Sequence, residues 1–257
     1  MSVRRRWTLL SLLALALLAG VIYGIHLQVL QSRMLRGDPQ AVAETPALMA
    51  FAEPRGRRVF EKHCAVCHGA QGHGDSARGV PNLADNDWLY GDGHMSDIEQ
   101  VVNFGIRAHA PRTWNLADMP AYATPVPSVA DKVPPLTPRD IADVTEMIIF
   151  MGGGKADPDA AARGSRIFAD RGGCYDCHAT DGHGDPGIGA PNLADNIWLY
   201  GDGSRASIAR SIARGHHGIC PAWVSRLKPA AIREVALYLH ALSKSPTTPN
   251  TSTDKHS

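Results

Sequence analysis

From Trp7 to Ser32 the chain carries no Asp, Glu, Lys or Arg, and WTLLSLLALALLAGVIYG is apolar almost without interruption. Such a run meets the roughly 20 residues that a helix needs to cross the hydrocarbon core. A helix is required there because lipid offers no partner to an open backbone group. Arg4, Arg5 and Arg6 precede the run, which by the positive-inside bias predicts a cytoplasmic N-terminus and a body beyond the membrane. A cleaved signal peptide is the rival reading, but the run is long for one and no convincing A-x-A site closes it.

Beyond this segment the pattern shortens to amphipathic stretches at helical spacing. In TPRDIADVTEMIIFM, Thr137 reads as an N-cap, Pro138 as the first helical residue, and Asp140 stands three residues after the cap. Ile141, Val144 and Ile148 then make one apolar face, and Gly152, Gly153 and Gly154 end it. PAAIREVALYLHAL repeats the arrangement with Ile232, Val235, Leu239 and Leu242. Strand-like alternation is scarce, so the body reads as all-α. Pro125, Pro127, Pro134 and Pro135 mark a stiff loop, and GGGKADPDAA a connection between domains.

The chain repeats itself. GVPNLADNDWLYGDG (79–93) returns as GAPNLADNIWLYGDG (189–203), and CAVCH returns as CYDCH at the same offset of 110. Each unit opens on a G-x-x-x-F lead-in, Gly56 to Phe60 and Gly164 to Phe168. The predicted organisation is a cytoplasmic N-terminus over 1–6, a transmembrane helix over 7–29, a linker over 30–54, a first domain over 55–152, a linker over 153–160, a second domain over 161–243 and a disordered tail over 244–257. Units of this size would have thin cores unaided.

The 257 residues carry a net charge of +1, and the only dense basic run precedes the apolar segment, so no nucleic-acid partner is expected. The five cysteines carry the chemistry. C-x-x-C-H is the attachment signature of c-type haem. Cys64 and Cys67, like Cys174 and Cys177, lie about one helical turn apart, so each pair can form two thioethers while His68 or His178 binds iron. A zinc half-site or a redox disulfide competes, but neither the further ligands nor a strand-helix context appears. Two covalent haems c are the expected cofactors. Cys220, in HHGICPAW, is left over and could also pair with another chain.

Both units resemble the class I cytochrome c fold, which makes the predicted architecture one N-terminal transmembrane helix followed by two tandem class I cytochrome c domains. The resemblance implies that the carbonyls of Pro81 and Pro191 accept a hydrogen bond from the iron-bound histidines His68 and His178. It also implies that Met119, in MPAY, is the sixth ligand of the first haem. Met147 and Met151 read as core fillers, and Met95 as part of a polar loop. In the second unit Cys220 takes the place of Met119, with His216 or His217 as alternatives, or an open site. A thiolate there would lower the potential of the second haem relative to His/Met ligation.

The order of anchor, CAVCHG, PNLADNDWLYG, FGIRAHAPRTWNLADMPAY, CYDCH and HGICPAW is similar to the dihaem subunit III of cbb3-type cytochrome c oxidases, over Thr45 to Leu242. That family usually has Met where this chain has Cys220. The resemblance implies a single-pass protein of the cytoplasmic membrane with its haem domains on the periplasmic side. Its partners would be the catalytic and monohaem subunits of the oxidase and a soluble cytochrome c donor, with no catalytic centre of its own. A free anchored electron shuttle, or a His/Cys-ligated haem enzyme acting on a sulfur compound or peroxide, are the alternatives.

Overall fold

The computed structural model describes residues 3–127 and 132–244; the tail expected from 244 onwards lies, beyond that residue, outside them. Helix α1 runs unbroken over Val3–Arg36, so it continues past the apolar segment. Leu9 to Ile25 on α1 present their large apolar side chains outward, as a membrane span does. Its far end is different. Leu27, Leu30 and Met34 pack into the body, and Met34 is fully buried. Short α2 (Pro39–Ala43), N-capped by Asp38, then leads into α3 (Pro46–His63). The predicted linker over 30–54 is therefore helical and packed.

The first repeat supplies α3, α4 (Ala65–His68), α5 (Met95–Phe104) and α6 (Pro138–Met151). The second supplies α7 (Pro158–Ala169), α8 (Tyr175–His178), α9 (Arg205–Arg214) and α10 (Pro229–Lys244). Thr137 caps α6 as predicted, and the cap is completed as a capping box in which Thr137 and Asp140 exchange hydrogen bonds. Between α5 and α6, β1 (Val126–Pro127) pairs antiparallel with β2 (Lys132–Val133), the only strands among the described residues. Met95, expected in a loop, opens α5 and is fully buried.

The two bodies of the fold are not the two repeats. Helix α10 packs on α3 and α5, so the closing helix of the second repeat completes the first body. Helix α6 packs on α7 and α9 and completes the second. Only a short stretch, Gly152 to Asp157, joins α6 to α7, and such a connection favours antiparallel neighbours. The exchange turns the connection read as inter-domain into a helical hairpin inside one body.

Glycines in the lead-in helices permit both crossings. A Cβ at Gly56 would run into the backbone carbonyl of Glu234 on α10, and one at Gly164 into that of Asp143 on α6. Gly56→Ala and Gly164→Ala should each lose about 1–3 kcal/mol by forcing the helices apart, measured by denaturant unfolding.

Ion pairs also cross the repeat boundary. The Arg163 guanidinium donates to both oxygens of Asp143 at 2.9 and 2.7 Å. Arg205 of α9 reaches Glu146 of α6 at 2.5 and 3.1 Å, and Arg171 pairs with Asp140. The hydrogen bonds from Arg163 and Arg205 hold the Asp143 and Glu146 carboxyls below their ordinary range. A depressed carboxyl contributes stability above its unfolded value, roughly pH 4, and loses it as pH falls through the folded value. Thermal stability should therefore drop below about pH 4, and Asp143→Asn should flatten part of that slope.

Candidate functional site

Each C-x-x-C-H motif occupies a single helical turn whose backbone is held by its first cysteine. The N–H of His68 donates to Cys64 O at 3.0 Å, and that of His178 to Cys174 O at 2.9 Å. The chain then folds back through matching loops. Asp75 pairs with Val80 and Asp185 with Ala190, while Leu83 N donates to Gly72 O and Leu193 N to Gly182 O. These loops bring a proline carbonyl to each imidazole. His68 Nδ1 lies 3.0 Å from Pro81 O, and His178 Nδ1 lies 3.0 Å from Pro191 O.

A carbonyl can only accept, so each Nδ1 carries the proton and Nε2 keeps its lone pair for a metal. Burial lowers the pKa of both imidazoles, which keeps them neutral and able to ligate. Both motifs line one mostly apolar cavity of about 400 Å³. Its walls include Leu83 and Leu193 from the PNL segments, and Trp88 and Trp198 from the repeated WLYG. Paired thiols, an oriented imidazole and an apolar cleft fit a covalent haem at each motif. No described group of His, Cys, Asp and Glu is arranged for a bare metal ion.

The sixth-ligand candidates reverse the expected pairing. Cys220 is bonded to Ile106 through both backbone groups, at 2.9 and 3.0 Å. Trp223 N reaches Asn103 O at 3.0 Å, and the Trp223 ring meets His63 at 5.1 Å between centroids. This segment thus closes over Cys64, Cys67 and His68. Burial, with Cys67 nearby, pushes the Cys220 thiol up to about 11. Met119 goes the other way. It exchanges backbone hydrogen bonds with His216 at 3.2 and 2.9 Å, and Tyr122 N donates to Ile212 O at the end of α9. Its side chain packs in the cluster that holds Cys174, Leu193 and Trp198.

The expectation of Met119 beside His68 and Cys220 beside His178 is therefore not what the fold brings together. Each sixth-ligand segment travels with the closing helix that follows it, and both closing helices are exchanged. His217 is turned away as well, its Nδ1 hydrogen-bonded to Asp118 at 2.8 Å on the exposed side. The His216 ring stacks on Tyr200 at 3.4 Å and 12°, with Nε2 buried and unpartnered.

The two cradles abut through matched contacts that motif reading did not anticipate. Gly91 N donates to Pro186 O at 3.0 Å and Gly201 N to Ser76 O at 2.9 Å. Tyr90 covers Gly189, and Tyr200 covers Gly79, each glycine with positive φ and no room for a Cβ. WLYG standing in both repeats was the only signal for this, and it reads equally well as packing within one unit.

Comparison with known proteins agrees with both the repeats and the family. The cytochrome c family model matches residues 54–148, and the model for cytochrome c oxidase, cbb3-type, subunit III matches residues 159–239. The chain is 37% identical over 219 residues to the cbb3-type cytochrome c oxidase subunit FixP of Bradyrhizobium sp. (strain ORS 278), covering 81% of this chain and 70% of that one. It is 37% identical over 213 residues to subunit CcoP of Cereibacter sphaeroides, covering 83% and 69%. Subunit CcoP of Rhodobacter capsulatus matches at 37% over 223 residues, covering 84% and 70%.

Proposed function

The chain belongs to the subunit III family of cbb3-type cytochrome c oxidases, and on that premise we propose that it conducts electrons into the oxidase through two haems, each bound by both repeats. Covalent haem supplies one-electron redox chemistry when bound. The residues that would hold the first are Cys64, Cys67 and His68, with Cys220 as sixth ligand. Those for the second are Cys174, Cys177 and His178, with Met119. The observation that carries this reading is the pair of His–Pro contacts at 3.0 Å, set in one apolar cleft.

The chain's own residues set the haem environment in three ways. Pro81 and Pro191 hold the imidazole rings by Nδ1 and make them stronger donors. The apolar walls exclude water. The choice of sulfur then separates the potentials. A thioether favours the reduced iron and a thiolate disfavours it, so the Met119 site is the higher of the two and the Cys220 site the lower. This inverts the ordering expected from sequence.

The protein is a membrane-anchored subunit that assembles with other subunits of the oxidase. We assign the haem bodies to the periplasmic side on the strength of Arg4, Arg5 and Arg6, and a soluble cytochrome c as the donor. The catalytic and monohaem subunits are the receiving partners. Purification in mild detergent should retain those subunits together with two haems per copy of this chain. Cytochrome c oxidation by the complex should collapse when this chain is removed. A chain that never co-purifies with a haem-copper subunit would overturn the assignment in favour of a free shuttle.

A further inference from the structure

Arg107 lies where the two exchanged segments cross. Its side chain is only 11% exposed, and every nitrogen of the guanidinium is engaged. Nε donates to Gly218 O at 2.6 Å, Nη1 to Ala117 O at 2.8 Å and Nη2 to the Tyr90 hydroxyl at 3.0 Å. Asp118 Oδ1 is 3.4 Å from Nε. Ala117 and Asp118 immediately precede Met119, and Gly218 stands two residues before Cys220. One planar fork therefore ties down both sixth-ligand segments, and the third arm reaches the tyrosine that covers Gly189.

The backbone is also unusual. Arg107 has φ +49°, a conformation that side-chain-bearing residues rarely adopt, and its N–H donates to Trp114 O at 2.9 Å. Such geometry persists only where the surroundings over-determine it. In the repeat, Gly105-Ile106-Arg107 corresponds to Gly215-His216-His217, and His217 also faces Asp118. The pattern is thus symmetric in position but has a permanent charge on one side only, because a guanidinium does not deprotonate in proteins.

We propose that Arg107 is a positioning residue shared by both haem sites, holding the Met119 and Cys220 segments in place and raising both reduction potentials through its buried positive charge. The proposal rests on the ligand pairing given above. A fixed cation in a low-dielectric cleft favours the reduced form of any nearby iron, and a fork that grips two loops restrains both sulfurs at once.

The test is a spectroelectrochemical titration of the full-length, haem-loaded chain, combined with its reactivity towards carbon monoxide. In Arg107→Gln both midpoint potentials should fall together, and the carbon monoxide-reactive fraction should rise at both haems, with two haems per chain retained. Arg107→Lys keeps the charge and loses the fork. It should recover most of the potential shift while staying reactive. A change at one haem only, or at neither, would overturn the proposal. If the Arg107 variants do not accumulate, Asp118→Asn removes the opposing charge from an exposed position and should move both potentials upward; no movement would sink the idea equally. Haem content and the thiolate signal of the unmodified chain are read in the same preparation. Fewer than two haems, or no thiolate signal, would defeat the underlying ligand reading, whereas both present with unresponsive potentials would defeat only the role of Arg107.

Discussion

Replacing Cys220 by Met should raise the midpoint potential of the haem attached through Cys64 and Cys67 by tenths of a volt, within the range of roughly 0.8 V that axial ligation spans. The haem on Cys174 and Cys177 should shift far less. The reasoning starts from the sulfur. A buried thiol whose pKa is pushed up to about 11 does not ionise unaided near neutrality, so a thiolate at Cys220 depends on iron to stabilise it. Once bound, it stabilises the oxidised metal more than a thioether does. Met is longer but flexible and offers a neutral sulfur donor, and the backbone pairing of residue 220 with Ile106 does not involve the side chain. The fold should therefore survive the change while the potential does not. Redox titration of wild type and variant, followed in the Soret region, gives the answer directly.

Cutting the chain after Gly154 should leave a first fragment that cannot form a complete haem site. In two independent tandem domains such a cut would separate two intact units. Here it removes α10, whose Val235, Leu237 and Leu239 are buried against α3 and α5. Each such side chain contributes about 1.5–3 kcal/mol when buried. Together they approach the whole net stability of a domain, about 5–15 kcal/mol. The fragment also lacks Cys220. Expressed alone it should be protease-sensitive and bind carbon monoxide freely. Co-expression with residues 155–257 should restore resistance and six-coordinate spectra for both haems. A stable first fragment with a six-coordinate haem would mean that the repeats close on themselves.

The helices themselves were largely legible. Thr137, Pro138 and Asp140 announced the start of α6, and the spacing of Ile232, Val235 and Leu239 announced α10. The end of α1 was not. Gln28, Gln31 and Arg33 are unsuited to lipid but are good helix formers, so a membrane criterion stops before the helix does. Met95 was placed in a loop because its neighbours are polar, and tertiary packing overrode that local cue.

The exchange was hidden for a more basic reason. The repeats are so alike that α3 offers Gly56 and α7 offers Gly164 to either closing helix, and periodicity cannot say which one arrives. Connection length was the usable signal. Six residues join α6 to α7, Gly152 to Asp157, too few to lead comfortably out of one body into another. Conversely, the longer stretch between Gly105 and Met119, against Gly215 to Cys220 in the second repeat, supplies the reach for one crossing. The histidine-proline cradle, by contrast, depends only on residues close in sequence, and each repeat forms it alone. Local chemistry was readable from the motif, and its long-range completion was not.

The central claim is that each haem is completed by the other repeat, and electron paramagnetic resonance of haem-deletion variants tests it most directly. Cys174→Ala/Cys177→Ala leaves only the first attachment site, and Cys64→Ala/Cys67→Ala only the second. The thiolate-type low-spin signal should persist in the first variant, disappear from the second, and disappear from the first when Cys220→Met is added. A thiolate signal that instead follows the haem on Cys174 and Cys177 would contradict the exchange.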